Sequence, residues 1–128
     1  MKEHIIVIRE DSTCRIIPYA QGSTSEQLKQ LQTLVGGYIE TVPCKGRDFI
    51  MIVDEEGAFK DCHMNKLATE ATKHGTTVIM GTAVIAKTAV DADGETDIVG
   101  MSANEAVEWL VTLGRENGHA ISMKVGGD

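Results

Sequence analysis

The chain switches repeatedly between strand-like and helix-like spacing of its apolar residues. His4-Ile5-Ile6-Val7-Ile8-Arg9 is a β-branched run of strand length, and Cys14-Arg15-Ile16-Ile17-Pro18-Tyr19 follows a polar turn, so the two predict a hairpin. Pro18 cannot donate to a ladder and belongs at a strand end or edge. Leu28, Leu31, Leu34 and Val35 then recur at helical spacing. Ser23 and Glu26 make a capping box in front of them, and Gly36 or Gly37 supplies the left-handed residue that ends the helix. The other glycine lets the backbone approach a neighbour without a Cβ in the way.

Tyr38 to Val42 and Phe49-Ile50-Met51-Ile52-Val53 read as two strands, the second apolar throughout and therefore central, joined by the hairpin-loop composition of Pro43 to Asp48. Asp54-Glu55-Glu56-Gly57 reads as a turn with Gly57 at positive φ. Residues 64 to 74 predict a short helix with Met64, Leu67, Ala68 and Ala71 inward and Gly75 as its stop. Thr76 to Ala86 is strand-like, with Gly81 as a bulge. Residues 87–101 read as an acidic loop, and Ser102-Ala103-Asn104-Glu105 opens a helix over 102–118 carrying Ala106, Trp109, Leu110 and Leu113 on one side. Ile121, Met123 and Val125 predict a last strand before a loose tail at 126–128. The expected fold is α+β: a single small domain over residues 1–128, with a mainly antiparallel sheet of about five to seven strands packed with two to three helices.

Composition narrows what such a domain does. With 128 residues it can bury one core, but one Trp, two Tyr and two Phe leave that core to aliphatic side chains. The formal charge of −7 argues against a nucleic-acid groove, which needs clustered Lys and Arg; acids spread along the whole chain give DNA mimicry little support either. No apolar run approaches a membrane span, and the first residues lack a signal-peptide pattern. Three widely spaced cysteines, Cys14, Cys44 and Cys62, fit free thiols in a reducing cytoplasm better than a disulfide framework.

Reactive motifs are few. Asp61-Cys62-His63 places a nucleophile beside a base, yet adjacent strand residues point to opposite faces and no further Cys or His stands at ligand spacing. Asp91-Ala92-Asp93-Gly94-Glu95-Thr96-Asp97 has calcium-loop composition, with its glycine fourth rather than sixth and Ser102 at the twelfth position. No Walker loop, GxGxxG turn, GxSxG elbow or HExxH helix occurs. No metal or cofactor is expected. Glu40 is the remaining puzzle: strand alternation puts it with Tyr38 and Val42, either on a solvated face or in a pocket.

The segments LQTLVGGYIETV, VDEEGAFKD, MNKLATE and VIMGTAVI together resemble the DUF3846 family of bacterial and phage proteins over about residues 14–86. Lys66 stands where that family usually has arginine, and the N-terminal strand and C-terminal helix extend beyond the resembling unit. The resemblance implies a phage or mobile-element setting and brings no established chemistry. The expected function is a non-enzymatic binding protein, a counter-defence factor that sequesters a nucleotide-like signal or blocks a host protein. For the ligand version the residues are Gly37, Tyr38, Glu40, Asn65 and Lys66: Tyr38 to stack, Glu40 to accept hydrogen bonds, and Asn65 with Lys66 to meet an anion at a helix start. For the host-protein version the contacts are the acidic 54–56 turn and the 91–97 loop. The alternatives are a small hydrolase or transferase using Cys62 and His63, and a regulatory module acting as a homo-oligomer through exposed strand edges.

Overall fold

The computed structural model describes residues 3–126. In chain order it contains β1 (His4–Ile8), β2 (Cys14–Pro18), α1 (Thr24–Val35), β3 (Ile39–Pro43), β4 (Phe49–Asp54), a 3-10 turn (Gly57–Phe59), α2 (Lys66–Ala71), β5 (Ala83–Val90), β6 (Thr96–Val99), α3 (Ala103–Asn117) and β7 (Met123–Val125). The strands form one seven-stranded sheet in the order β3-β4-β5-β1-β2-β7, with β6 added beside β5. Every pairing is antiparallel except β2 with β7.

β5 is long enough to serve two neighbours on one edge. Its first residues pair with β1 (Ala83 opposite Ile8) and its last four with β6 (Val90 opposite Thr96). Mutual bonds between His4 and Met101, N–H to O at 2.7 and 2.8 Å, close the seam between β1 and the end of β6.

Alternation along the strands sends two sets of side chains to opposite faces. Ile6, Ile8, Ile16, Met51, Val53 and Ile85 pack against α2 and α3, including Leu67, Trp109, Leu110 and Leu113. Ile5, Val7, Ile52, Val84 and Ala86 pack with Tyr19 against Leu31 and Val35 of α1. The sheet is thus covered on both faces, and that is why β1, β4 and the start of β5 are apolar without interruption. α3 is seated by Trp109, whose indole N–H donates to the Lys45 carbonyl at 2.9 Å and whose ring stacks on Phe49.

Both helix starts use the predicted serines, but only one makes the reciprocal box. Ser102 accepts from the Glu105 N–H and the Glu105 carboxylate accepts from the Ser102 N–H. Ser23 accepts from the Glu26 N–H, while the Glu26 carboxylate folds over Gly22 instead of returning to the cap. Gly36 and Gly118 end α1 and α3 at φ +89° and +74°.

Several local expectations need correction. Residues 87–101 are not a loop: they hold the second half of β5 and β6, joined at a tip where Asp91 Oδ1 accepts the N–H groups of Asp93 and Glu95. Thr76–Ala86 becomes strand only from Ala83; Gly81, at φ +83°, turns the chain before β5 rather than bulging within it. α2 is shorter than 64–74, and Met64 is an exposed bridge partner of Met80 rather than a core residue. Gly57 is not at positive φ. It is favoured by proximity, since a Cβ there would lie 3.0 Å from the Met80 carbonyl oxygen, which would have to give by a few tenths of an ångström. Tyr38 precedes β3. Of the expected tail, Gly126 is held by its N–H to the Ile16 carbonyl, and residues 127–128 lie outside the described residues.

Candidate functional site

The segments carrying the family resemblance converge at one end of the sheet. α1 ends at Gly36, and the N–H groups of both Gly36 and Gly37 bond to the Gln32 carbonyl. The Gly36 carbonyl accepts from Lys60 Nζ at 2.9 Å, and the same ammonium sits 2.6 Å from Asp54 Oδ2 at the end of β4. Asp54 Oδ1 accepts the Glu56 N–H at 2.9 Å and so shapes the turn. Gly37 lies directly over this pair, where a Cβ would come 2.7 Å from Asp54 Oδ1, whereas one on Gly36 would meet nothing within 4 Å. The two glycines have different causes, one conformational and one steric. Gly36→Ala should cost about 1 kcal/mol for its left-handed backbone. Gly37→Ala should cost about 2 kcal/mol by overpacking the ion pair. Urea unfolding of both variants measures the difference.

Burial works against the charge on Asp54, but the Lys60 ammonium and the Glu56 N–H outweigh it and hold the carboxyl below its ordinary 3.8. A carboxyl lowered by folding stabilises above its unfolded pKa and loses that contribution as pH falls through the folded value. The wild-type Tm should therefore fall as pH drops below about 4. Asp54→Asn should flatten that part of the profile while lowering Tm at neutral pH, which calorimetry at stepped pH detects.

The sequence-predicted site residues fall into three groups. Gly37 belongs to the junction just described. Tyr38 and Glu40 are exposed at the outer edge of the sheet, where β3 pairs only with β4. Asn65 is wholly buried: its Oδ1 accepts the Ala68 N–H as the cap of α2, and its Nδ2 donates to the Ile8 and Gly81 carbonyls at 2.9 Å each. Its hydrogen-bonding capacity is spent on tying α2 to β1 and to the turn before β5. Lys66 is exposed and within electrostatic reach of His119 beyond α3, and neither it nor Asn65 lines the groove that contains Glu40. The five residues do not converge on one ligand position.

Cys62 is half-buried, and its Sγ donates to the Gly57 carbonyl at 3.0 Å. Burial and then the carboxylates of Glu10, Asp54 and Asp61 raise its thiol pKa, opposite to what a nucleophile needs. His63 is exposed and is engaged through its backbone, its N–H donating to Glu10 Oε2 at 2.6 Å. Cys14 and Cys44 are buried free thiols, each pushed up to about 12 by burial. Among the described residues no three His, Cys, Asp or Glu side chains come together as metal ligands, and no helix is long and apolar enough to cross a membrane.

What the edge offers instead is a surface. A groove of about 170 Å³ runs between β3 and residues 77–80, with Glu40, Val42, Glu55 and Ala58 on one side and Val78 and Met80 on the other. Tyr38, Phe59 and Val78, beside or within it, are 71%, 88% and 60% exposed. Glu40, Glu55, Glu56 and Asp61 are exposed and take part in none of the salt bridges among the described residues. Sequence pattern flagged Tyr38 and Glu40 but missed Phe59, which lies in a turn, and Val78, which falls in the stretch before Ala83 that reads as strand and is not.

A family model for DUF3846, a domain of unknown function, matches residues 1–110. The chain belongs to this family. The DUF3846 match takes in β1 and the first half of α3, so the family unit is wider than residues 14–86 and includes the N-terminal strand that had seemed an addition. The comparisons with curated proteins and with solved structures gave no match.

Proposed function

We propose that this DUF3846 protein is a non-enzymatic binding protein whose working surface is the β3 edge with the turn after β4, and whose partner is an extended, basic segment of another protein. The observation that carries the reading is the pairing of two strongly exposed aromatics, Tyr38 and Phe59, with four exposed carboxylates outside any salt bridge among the described residues, Glu40 on the unpaired β3 edge and Glu55, Glu56 and Asp61 in the turn after β4. An open edge supplies backbone groups for strand addition, aromatic side chains supply contact area, and the carboxylates select a positive partner. Toward Pro43 the edge is already covered, by Lys73 N–H to the Pro43 carbonyl and by the Cys44–Thr72 bridge. The open part is therefore short, Ile39 to Val42.

The same charges weigh against a nucleotide, whose phosphates would meet Glu40, Glu55 and Glu56, and against a second copy, whose identical edge would bring like charges together. Blocking a host protein in the cytoplasm as a counter-defence factor suits this surface better than sequestering a signalling nucleotide. A photo-crosslinking residue placed at Phe59 should give a discrete adduct in the host cell. Mass spectrometry should place the crosslink in a Lys- or Arg-rich segment of the partner. The same residue at Val125, also exposed but on the opposite sheet edge, should give none. Adducts from Val125 and not Phe59, or crosslinks to acidic segments, would overturn the reading.

A further inference from the structure

The other face of the sheet carries a second, larger feature. Between α1 and β6 lies a pocket of about 350 Å³, within the range of small-molecule sites, with Leu28, Leu31, Ile39 and Ile98 in its lining. Its polar groups are unusual in sign. Glu3 and Asp97 are exposed at it, no Lys, Arg or His lines it, and Tyr19 reaches it from the end of β2.

Tyr19 is only 3% exposed, and no hydrogen bond is found for its hydroxyl among the described residues. Its oxygen is not sealed off, since the one fully buried side-chain polar atom without a partner among the described residues is His4 Nδ1; water meets the hydroxyl from the pocket, and a ligand group would replace that water. Burial, with Asp97 and Glu3 nearby, raises its pKa, so the hydroxyl stays protonated and available both to donate and to accept.

The pocket wall is braced. The Tyr19 N–H donates to the Glu3 carbonyl at 2.9 Å, Gln27 Nε2 donates to the Ala20 carbonyl at 2.9 Å, and Gln30 accepts the Ala20 N–H and donates to the Pro18 carbonyl. These bonds fix α1 against the exit of β2 and hold the phenol in place, a form of preorganisation.

We propose that this pocket binds a small organic cation: a protonated amine set among Glu3, Asp97 and the Tyr19 hydroxyl, with its apolar body against Leu28, Leu31 and Ile98. An anion of the same shape would be repelled by both carboxylates, and a neutral hydrocarbon would gain nothing from either charge. The site is independent of the β3 groove, since Ile39 reaches it from the sheet face opposite to Glu40.

Tryptamine and indole-3-propionate share a ring and differ in charge, so amide-shift titrations of the full chain with each separate charge recognition from greasy contact. Tryptamine should shift Tyr19, Leu31 and Ile98 saturably, and indole-3-propionate should leave them unmoved. Asp97→Asn, at an exposed position that does not endanger folding, should weaken tryptamine about tenfold, and Tyr19→Phe several-fold. Equal shifts with both compounds, full tryptamine affinity in Asp97→Asn, or no tryptamine shift at these residues would overturn the assignment.

Discussion

Asn65→Ala should lower unfolding free energy by about 3 kcal/mol, a loss of roughly 150-fold in the folded-to-unfolded ratio. The Oδ1 cap on Ala68 accounts for about 1 kcal/mol of this. The rest follows from withdrawing Nδ2 from the Ile8 and Gly81 carbonyls where water cannot replace it, since the residue is wholly buried. Asn65→Asp separates the two contributions. It keeps the acceptor for Ala68 but cannot donate, and it buries a carboxylate against two carbonyl oxygens, so it should be no more stable than the alanine variant. Urea denaturation with an unchanged m-value tests both. If Asn65 were instead a ligand contact, its removal would leave stability near wild type, within about 0.5 kcal/mol.

The second large effect concerns the surface. Reversing Glu40 and Glu55 together to lysine should weaken a basic partner about 100-fold, at about 1.4 kcal/mol for each reversed charge. Both side chains are exposed and outside any salt bridge among the described residues, so unfolding should move by no more than about 0.5 kcal/mol. The loss should shrink at high salt, where exposed charges are screened. Equal binding by the reversed variant would mean that the carboxylates are only a solvated rim.

These two residues also mark where sequence reading succeeds and where it stops. Periodicity places Glu40 correctly on one face of a strand, but whether that face holds a pocket depends on residues 77–80, nearly forty positions away, and periodicity carries no distance information. The polar residue before Lys66 is visible as a helix start. Its role as a buried clasp is not, because the partners at Ile8 and Gly81 are carbonyls, which every sequence position has. The apolar runs of β1 and β4 are legible because burial on both faces forces them to be continuous. The hairpin after Thr88 is hidden for the opposite reason: its exposed half carries acids that look like a loop, while its pairing comes from backbone groups along β5. Gly57 and Gly37 are legible as glycines with a purpose, but a steric cause and a conformational one give the same letter.

Strand addition at β3 is tested most directly by amide exchange and amide shifts with short peptides of alternating residues. A lysine–valine peptide should shift Tyr38 to Val42, Phe59 and Val78 and slow exchange at the outward N–H groups of β3, while a glutamate–valine peptide should do neither. Shifts that appear with both peptides, or with the lysine peptide only at other strands, would contradict the proposed edge.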